Sequence, residues 1–227
     1  MTDHDSMHAP TPRRGFLRRL AGSAALLGGV ASVPSRLHAA SASDAQDEDW
    51  MRALTAKHRT VFDAAAHGNG WPLHQAKNFL DAWRDAYKVA DAQVNLVIGV
   101  QANATPLLLS DAVWSRFPIG ERYTVVDPAT KAPSKKNPFT AANLVPAGFM
   151  TAEKSVESLQ KRGVRFVMCL NTLGGLADQF SAAGLGAAAD VRAALVAGLL
   201  PGVITVPAMV VTLAQLQERG LTYYKVV

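Results

Sequence analysis

The chain has 227 residues, of which 49% are hydrophobic and 18% are charged. This balance is typical of one packed globular domain with extensions, and it excludes the disordered and fibrous classes of protein. The formal net charge of +5 comes from 23 basic and 18 acidic residues, but the part after residue 42 carries only 18 basic and 16 acidic residues. Because that part also has no basic run interleaved with aromatic residues, we expect no nucleic-acid partner.

The first residues have the pattern of a twin-arginine export signal. The sequence "PRRGFLRRL" places Arg13 and Arg14 before a short apolar stretch, and the small residues Ala40 and Ala42 follow it. This order of a basic region, an apolar region and small residues is typical of a cleaved signal peptide. We therefore predict a signal peptide over residues 1–42, export by the twin-arginine pathway and a periplasmic mature protein.

Strand-like and helix-like segments alternate after a polar lead-in at residues 43–57. The predicted strands cover residues 58–66, 92–100, 164–170, 202–208 and 221–227. The predicted helices cover residues 71–87, 105–117, 153–163, 176–200 and 209–220, the fourth in one or two pieces. Such alternation indicates βαβ units. The predicted fold is a three-layer α/β protein with an open, mostly parallel sheet and helices on both faces.

One uncharged stretch, at residues 195–213, is long enough to span a bilayer. Gly198, Pro201, Gly202 and Pro207 interrupt it, and a backbone broken so often would leave polar groups unsatisfied in lipid. We therefore predict a helix end, a buried strand and a helix start there, and no membrane association of the mature protein.

Residues 122–151 break the alternation. They are rich in proline, lysine and asparagine. A connection of this length is unusual in a compact domain, and such loops are commonly functional or mobile. We predict an insertion here that forms either an excursion from the domain or a lid-like loop.

Candidate site residues follow the first three predicted strands. In open parallel sheets, ligands bind outside the carboxyl ends of the strands, so these loops should open on one edge. The polar residues in them are His67, Asn69, Gln101, Asn103, Cys169, Asn171 and Thr172. We predict that they line one crevice.

Cys169 is the only cysteine of the chain, so an internal disulfide is excluded and a free thiol remains in an oxidising compartment. If the third strand is central, the thiol stands beside the N-terminus of the next helix, where backbone N–H groups favour a thiolate. Val167, Met168 and Leu170 flank it, however, and a buried cysteine commonly acts as a small apolar residue. Position alone leaves both interpretations open.

His67, His74 and Cys169 are candidate ligands for zinc, copper or iron, because imidazole and thiolate suit these metals. His67 is also a candidate acid–base partner of the Cys169 thiol. The segments "GGLADQF" and "GLGAAAD" lack the G-x-G-x-x-G spacing of a nucleotide-binding loop. We therefore predict no cofactor.

Two blocks of sequence carry a family resemblance. The segments "SLQKRGVRFVMCLNTL" and "LLPGVITVPAMVVTLAQLQERGLTYYKV" resemble the DsrE/DsrF-like family of small α/β proteins, several of which pass sulfur as a cysteine persulfide. The similarity extends from about residue 58 to the C-terminus. Two segments depart from it, namely the insertion at residues 122–151 and an enlarged alanine-rich stretch at residues 176–197.

The resemblance implies a homo-oligomer, trimeric or hexameric, and it places Cys169 where the sulfur-carrying members have their cysteine. We therefore expect a sulfur-relay protein in which Cys169 takes sulfur from a donor protein and passes it to an acceptor protein. An alternative is a non-catalytic module of the same fold that binds a small ligand or a metal, with Cys169 as a packing residue. A third possibility is a scaffold subunit whose assembly matters more than its crevice.

Overall fold

The computed structural model describes residues 49–226, so the predicted signal peptide lies outside the described residues. Five strands in this part of the chain form one sheet in the order β4-β3-β2-β1-β5. They are β1 (His58–Ala66), β2 (Val94–Asn103), β3 (Arg165–Cys169), β4 (Ile204–Val206) and β5 (Thr222–Val226). Every neighbouring pair is parallel. The carboxyl ends of all five strands therefore share one edge of the sheet.

Helices connect the strands and cover both faces of the sheet. They are α1 (Trp71–Asp85), α2 (Asp111–Arg116), α3 (Ile119–Arg122), α4 (Val156–Lys161), α5 (Leu170–Ala182), α6 (Ala188–Ala197) and α7 (Met209–Glu218). The predicted three-layer α/β fold is confirmed. None of the helices within the described residues is long and apolar enough to cross a membrane. The uncharged stretch at residues 195–213 forms the end of α6, the strand β4 and the start of α7, as predicted.

Two hydrophobic cores lie on opposite faces of the sheet, because alternate strand residues point to opposite sides. In β1, Phe62 belongs to the larger core together with side chains of α1, α4, α5 and α6. The preceding residue, Val61, belongs to the smaller core, which α7 covers. The predicted polar lead-in also contributes to the smaller core, because Met51 and Leu54 are buried in it. Cys169 lies in this smaller core.

Two predicted helices have different bounds in the structure. The helix predicted at residues 105–117 is interrupted: a 3₁₀ turn at Thr105–Leu108 and a bridge between Leu109 and Leu199 precede α2. Because the side chains in this turn are buried on every side, tertiary packing overrides the helical pattern. The helix predicted at residues 176–200 is two helices, α5 and α6, and α5 begins earlier, at Leu170.

Residues 122–151 are packed against the rest of the domain. Asn137, in the middle of this segment, is 0% exposed, and its side-chain Nδ2 donates to the carbonyl oxygens of Leu107 and Leu109 at 3.1 and 2.7 Å. Phe139 and Met150 are buried in the larger core. A lid has to detach in order to open, and these buried contacts would be lost. Of the two predicted forms, these contacts favour an excursion over a lid-like loop, and composition does not show which polar side chains find buried partners.

Arg162 joins three parts of the fold at the amino edge of the sheet. Its guanidinium donates to Asp91 through Nε at 2.7 Å and Nη2 at 3.0 Å, and to Asp81 of α1 through Nη1 at 2.7 Å. The Arg162 side chain is 17% exposed, so solvent screens these contacts less than it screens a surface pair. The paired, fork-like contact with Asp91 requires the planar guanidinium.

We expect Arg162→Lys to lower the free energy of unfolding by about 1–2 kcal/mol, because lysine loses the two-point contact with Asp91 while it keeps the charge. The measurement is urea denaturation of both proteins. Arg84→Lys is the matched control: Arg84 pairs with Asp85 at 2.7 Å and also with Asp81 at 3.3 Å, but its side chain is 49% exposed, so we expect a loss of less than about 0.5 kcal/mol from it. Equal losses in the two variants would contradict this account of Arg162.

Candidate functional site

The strand β3 passes directly into the helix α5 at the carboxyl edge. Cys169 is the last residue of β3 and Leu170 is the first residue of α5. The loop predicted after the third strand is therefore wrong, and Asn171 and Thr172 lie in the first turn of α5. No loop is needed because Leu170 packs against the larger core as soon as the strand ends. The sheet order places β2 at the centre and β3 beside it, so the third strand is not the central one.

The thiol of Cys169 is nearly enclosed. The residue is 5% exposed and packs in the smaller core with Val167, Val206 and Met209. Apolar neighbours of this kind disfavour a charged sulfur unless polar groups compensate for the lost water.

Polar groups from two helix N-termini surround the same sulfur. The backbone N–H of Met209, the first residue of α7, donates to Cys169 Sγ at 3.4 Å. In the first turn of α5, the Thr172 hydroxyl and the backbone N–H groups of Thr172 and Asn171 also lower the pKa of this sulfur, and the Asn171 N–H donates to the Pro207 carbonyl oxygen at 3.2 Å. Backbone N–H groups in the first turn of a helix have no partner within the helix, and they carry the positive end of the helix dipole.

These donors decide the acidity of the thiol. Burial alone raises the pKa of Cys169, but the hydrogen bonds from Thr172, Met209 and Asn171 together outweigh burial and bring the pKa below its usual value. Because the thiolate is the reactive form of cysteine, the arrangement increases the fraction of nucleophilic sulfur at neutral pH. The structure thus combines a buried position with an acidic thiol.

A polar row on the same face of the sheet joins the predicted Gln101 to Asp63 and Tyr223, which sequence reasoning missed. Asp63 of β1 is 7% exposed, and its two carboxylate oxygens accept hydrogen bonds from Gln101 Nε2 at 2.7 Å and Tyr223 Oη at 2.9 Å. The register pairs Val100 of β2 with Met168 of β3, so the next residue of each strand, Gln101 and Cys169, are lateral neighbours. Gln101 therefore links the Asp63 carboxylate to the strand position beside Cys169.

Tyr223 acts as a hydrogen-bond donor in this row. Burial and the neighbouring carboxylate of Asp63 both raise the pKa of the Tyr223 phenol, so it stays protonated at neutral pH. The signal that could have revealed the row is Asp63 itself, a lone carboxylate in the otherwise apolar stretch "TVFDAAA". An acidic residue in a buried strand needs partners, and the sequence does not show which residues supply them.

His67 is held within its own turn. Its Nδ1 accepts the backbone N–H of Asn69 at 3.1 Å, so Nε2 carries the proton and donates to the carbonyl oxygen of Tyr123 at 2.9 Å. Burial lowers the pKa of His67, and the Tyr123 contact only partly opposes this effect. With both ring nitrogens occupied, His67 supplies neither a metal ligand nor a base for Cys169. The predicted acid–base role is therefore wrong.

His74 lies in α1, apart from His67 and Cys169. Its Nε2 shares a hydrogen bond with Asn78 Nδ2 at 2.9 Å, and its ring packs against Trp71 and Phe149. Residues 49–226 contain no group of three or more His, Cys, Asp or Glu side chains that could hold a metal ion. The proposed metal ligands His67, His74 and Cys169 are therefore not brought together, because each histidine packs against aromatic side chains near it.

The remaining predicted residues divide into two groups. Asn171 and Thr172 lie beside Cys169, and Gln101 lies at the neighbouring strand position, where its side chain donates to Asp63. The backbone N–H of Ala102 donates to Thr172 Oγ1 at 3.3 Å, which ties the end of β2 to α5. Asn69 and Asn103 belong instead to the turn that holds His67, since the His67 N–H donates to the Asn103 carbonyl oxygen at 3.1 Å.

Comparison with known proteins adds little to this description. No protein-family model and no curated protein sequence matches the chain. Among solved structures, the chain is similar to MTH1491, a protein of unknown function from Methanobacterium thermoautotrophicum. The two are 18% identical, the TM-score is 0.41, and the match covers 74% of this chain and 99% of that protein.

Removal of one donor should raise the thiol pKa. Thr172→Val deletes a hydroxyl that donates to the sulfur, so we expect the pKa of Cys169 to rise and the alkylation rate at neutral pH to fall. The measurement is the rate of reaction with iodoacetamide as a function of pH, and the single cysteine makes the signal unambiguous.

Thr212→Val is the matched control for this experiment. Thr212 is also buried, but its hydroxyl donates to the carbonyl oxygen of Ala208 at 3.2 Å within α7. We expect the control to keep the pH profile of the unmodified protein. If Thr172→Val also keeps the pH profile of the unmodified protein, the Thr172 hydroxyl does not stabilise the thiolate.

Proposed function

We propose that this protein carries reduced sulfur, with Cys169 as the residue that forms a persulfide. The observation that supports this most is the set of hydrogen-bond donors around the chain's single thiol, which lower the pKa of Cys169 despite its burial. A persulfide is more acidic than a thiol and also needs donors to hold its negative charge. The N-termini of α5 and α7 supply them at the edge of the sheet.

The transfer is an exchange between sulfur atoms. The Cys169 thiolate attacks the outer sulfur of a donor persulfide, a bond forms between Cys169 Sγ and that sulfur, and the donor leaves as its thiolate. Delivery reverses these roles, since an acceptor thiolate attacks the outer sulfur and releases the Cys169 thiolate. No net oxidation occurs in either step. Donor and acceptor proteins are therefore the partners that this function requires.

The family resemblance supports the same function. Its two sequence blocks coincide with the elements that surround the sulfur, since they contain β3, the start of α5, and the β4, α7 and β5 region. A homo-oligomer, trimeric or hexameric, belongs to this proposal. The exposed side chains Val210 and Val211, in the first turn of α7, give apolar surface close to Cys169 for contact with another chain.

The burial of Cys169 favours a second candidate function. A thiol that is 5% exposed and packed among valine and methionine side chains suits a structural role. In that case the protein is a non-catalytic module that binds a small ligand. The two functions differ in one property, namely whether a sulfur donor in solution reaches Cys169 Sγ in the folded protein.

Intact mass measurement tests the proposal. The protein lacking residues 1–42 is incubated with thiosulfate or with glutathione persulfide, and we expect a gain of one sulfur atom that a reductant removes. With thiosulfate, the leaving group is sulfite, which provides a second readout. Cys169→Ser is the control and should gain nothing.

Alkylation separates the two candidate functions. If neither donor adds sulfur, and iodoacetamide labels Cys169 only after the protein is denatured, the thiol is a packing residue and sulfur transfer is excluded. If iodoacetamide labels the folded protein and sulfur is added, the carrier function stands.

Export by the twin-arginine pathway is also part of the proposal. We expect Arg13→Lys together with Arg14→Lys to retain the full chain in the cytoplasm, because the paired arginines are the recognised feature of the signal. Cell fractionation and immunoblotting measure this. The chain offers a matched control in Arg18→Lys with Arg19→Lys, a second arginine pair a few residues later. Equal retention by both double variants would contradict a specific role of the first pair.

A further inference from the structure

The two edges of the sheet differ in how they are protected. The edge strand β4 has only three residues, Ile204–Val206, and Pro207 follows it. A short edge strand and an adjacent proline both discourage pairing with another chain. The other edge strand, β5, has five residues in unbroken register with β1 and contains no proline. Of the two edges, β5 is therefore the one that offers a regular template for pairing.

The outer side of β5 has no backbone partner in the part of the chain that the structure describes. Within residues 49–226, β1 is the only strand that pairs with β5. No other described backbone group bonds to the backbone of Thr222–Val226. The N–H and C=O groups on the outer side of β5 can therefore pair with the strand of another chain.

An apolar groove of about 440 Å³ lies between β5 and α1, on the larger-core face of the sheet. Phe62 of β1 lies in it, with its ring centre 5.1 Å from that of Tyr224 and 5.4 Å from that of Phe79 in α1. Tyr224 is nevertheless 49% exposed, and no charged side chain lines the groove. Aromatic enrichment without charges is typical of the centre of a protein–protein interface.

We propose that β5 pairs with β5 of a second copy of this chain, in antiparallel direction, about a two-fold axis at Tyr224. Tyr224 is the middle residue of Thr222–Val226, so an axis at this position lets all five residues pair. The two sheets then form one continuous sheet. Directly opposite residues point to the same face, so the two Tyr224 rings lie side by side and shield each other beside the groove.

The charge on the strand is compatible with this register. Lys225 is the only charged residue of β5. It faces Tyr223 of the other copy, so the two lysines are not opposite each other. The Tyr223 phenol donates to the Asp63 carboxylate, so each lysine approaches an aromatic ring that is bonded to a negative charge, and both favour a cation. An axis at Lys225 would instead bring like charges together.

The symmetry of the contact limits the size of the assembly. Pairing of β5 with β4 of another copy would involve only the three residues of β4, and such a contact between unlike surfaces does not close in a dimer. A two-fold contact closes on itself. It can occur in a dimer or a hexamer but not in a lone trimer, so the number of copies is even. The contact does not depend on sulfur transfer.

Sedimentation equilibrium of the full chain tests the pairing. We expect an even number of copies for the unmodified protein and half that number for Tyr224→Glu, because two glutamates would face each other across the axis. Tyr224→Lys should behave in the same way, and an equal mixture of the two variants should restore the original mass, because opposite charges then face each other.

Tyr87→Glu is the matched control, since Tyr87 is 69% exposed and lies outside β5, and we expect it to keep the original mass. A monomer or a trimer for the unmodified protein would overturn the proposal. The original mass for Tyr224→Glu, or a mixture that stays at half the mass, would also overturn it.

Disulfide cross-linking tests the register without an added charge. In the Cys169→Ser protein, Tyr224→Cys should form a linked dimer on oxidation, because directly opposite residues of antiparallel strands have Cα atoms about 4.5–5.5 Å apart, within the reach of a disulfide. Lys225→Cys is the control, since its two copies lie diagonally about 7–8 Å apart, beyond that reach.

Absence of the linked Tyr224→Cys dimer, or equal linking of the two variants, would overturn the register. Cys169→Ser alone should have the same mass in sedimentation as the unmodified protein. A failure of the strand pairing and a failure of the sulfur-carrier function can therefore be told apart.

Discussion

The parallel direction of all five strands is the constraint on which the site depends. It places every strand end, and the start of each following helix, at one edge of the sheet. Cys169 ends β3 at this edge with no intervening loop before α5, while α7 begins at Met209 directly over the sulfur. Backbone N–H groups at the starts of two helices thereby converge on one thiol.

This arrangement gives the thiol two properties that usually oppose each other. Burial among apolar side chains raises the pKa of a cysteine, whereas hydrogen bonds to the thiolate lower it. At Cys169 the hydrogen bonds prevail. On the same face of the sheet as Cys169, the Asp63 carboxylate accepts hydrogen bonds from Gln101 and Tyr223. These three residues form a polar row beside the sulfur. A protected yet acidic sulfur is suited to hold a persulfide away from water.

The sequence predicts the order of strands and helices better than it predicts the contacts between side chains. Strand alternation identifies β1 with the bounds His58–Ala66, because a buried parallel strand is a continuous apolar run between turn residues. The lone Cys169 at a strand end also follows from sequence order. The loop expected after it, however, does not exist, and the insertion is fastened by Asn137 rather than free. Such features depend on contacts between residues that are far apart in the chain, as does the pairing of Asp63 with Tyr223.

Two helix N-termini make the buried thiol acidic, and a direct titration of the unmodified protein tests this effect. With ¹³Cβ-labelled cysteine, the single cysteine gives one resonance whose chemical shift follows the thiol-to-thiolate change with pH. We expect a midpoint clearly below the value of about 8.5 that a free cysteine shows. A midpoint at or above that value would show that burial prevails over the hydrogen bonds, and the acidic-thiol account would be wrong.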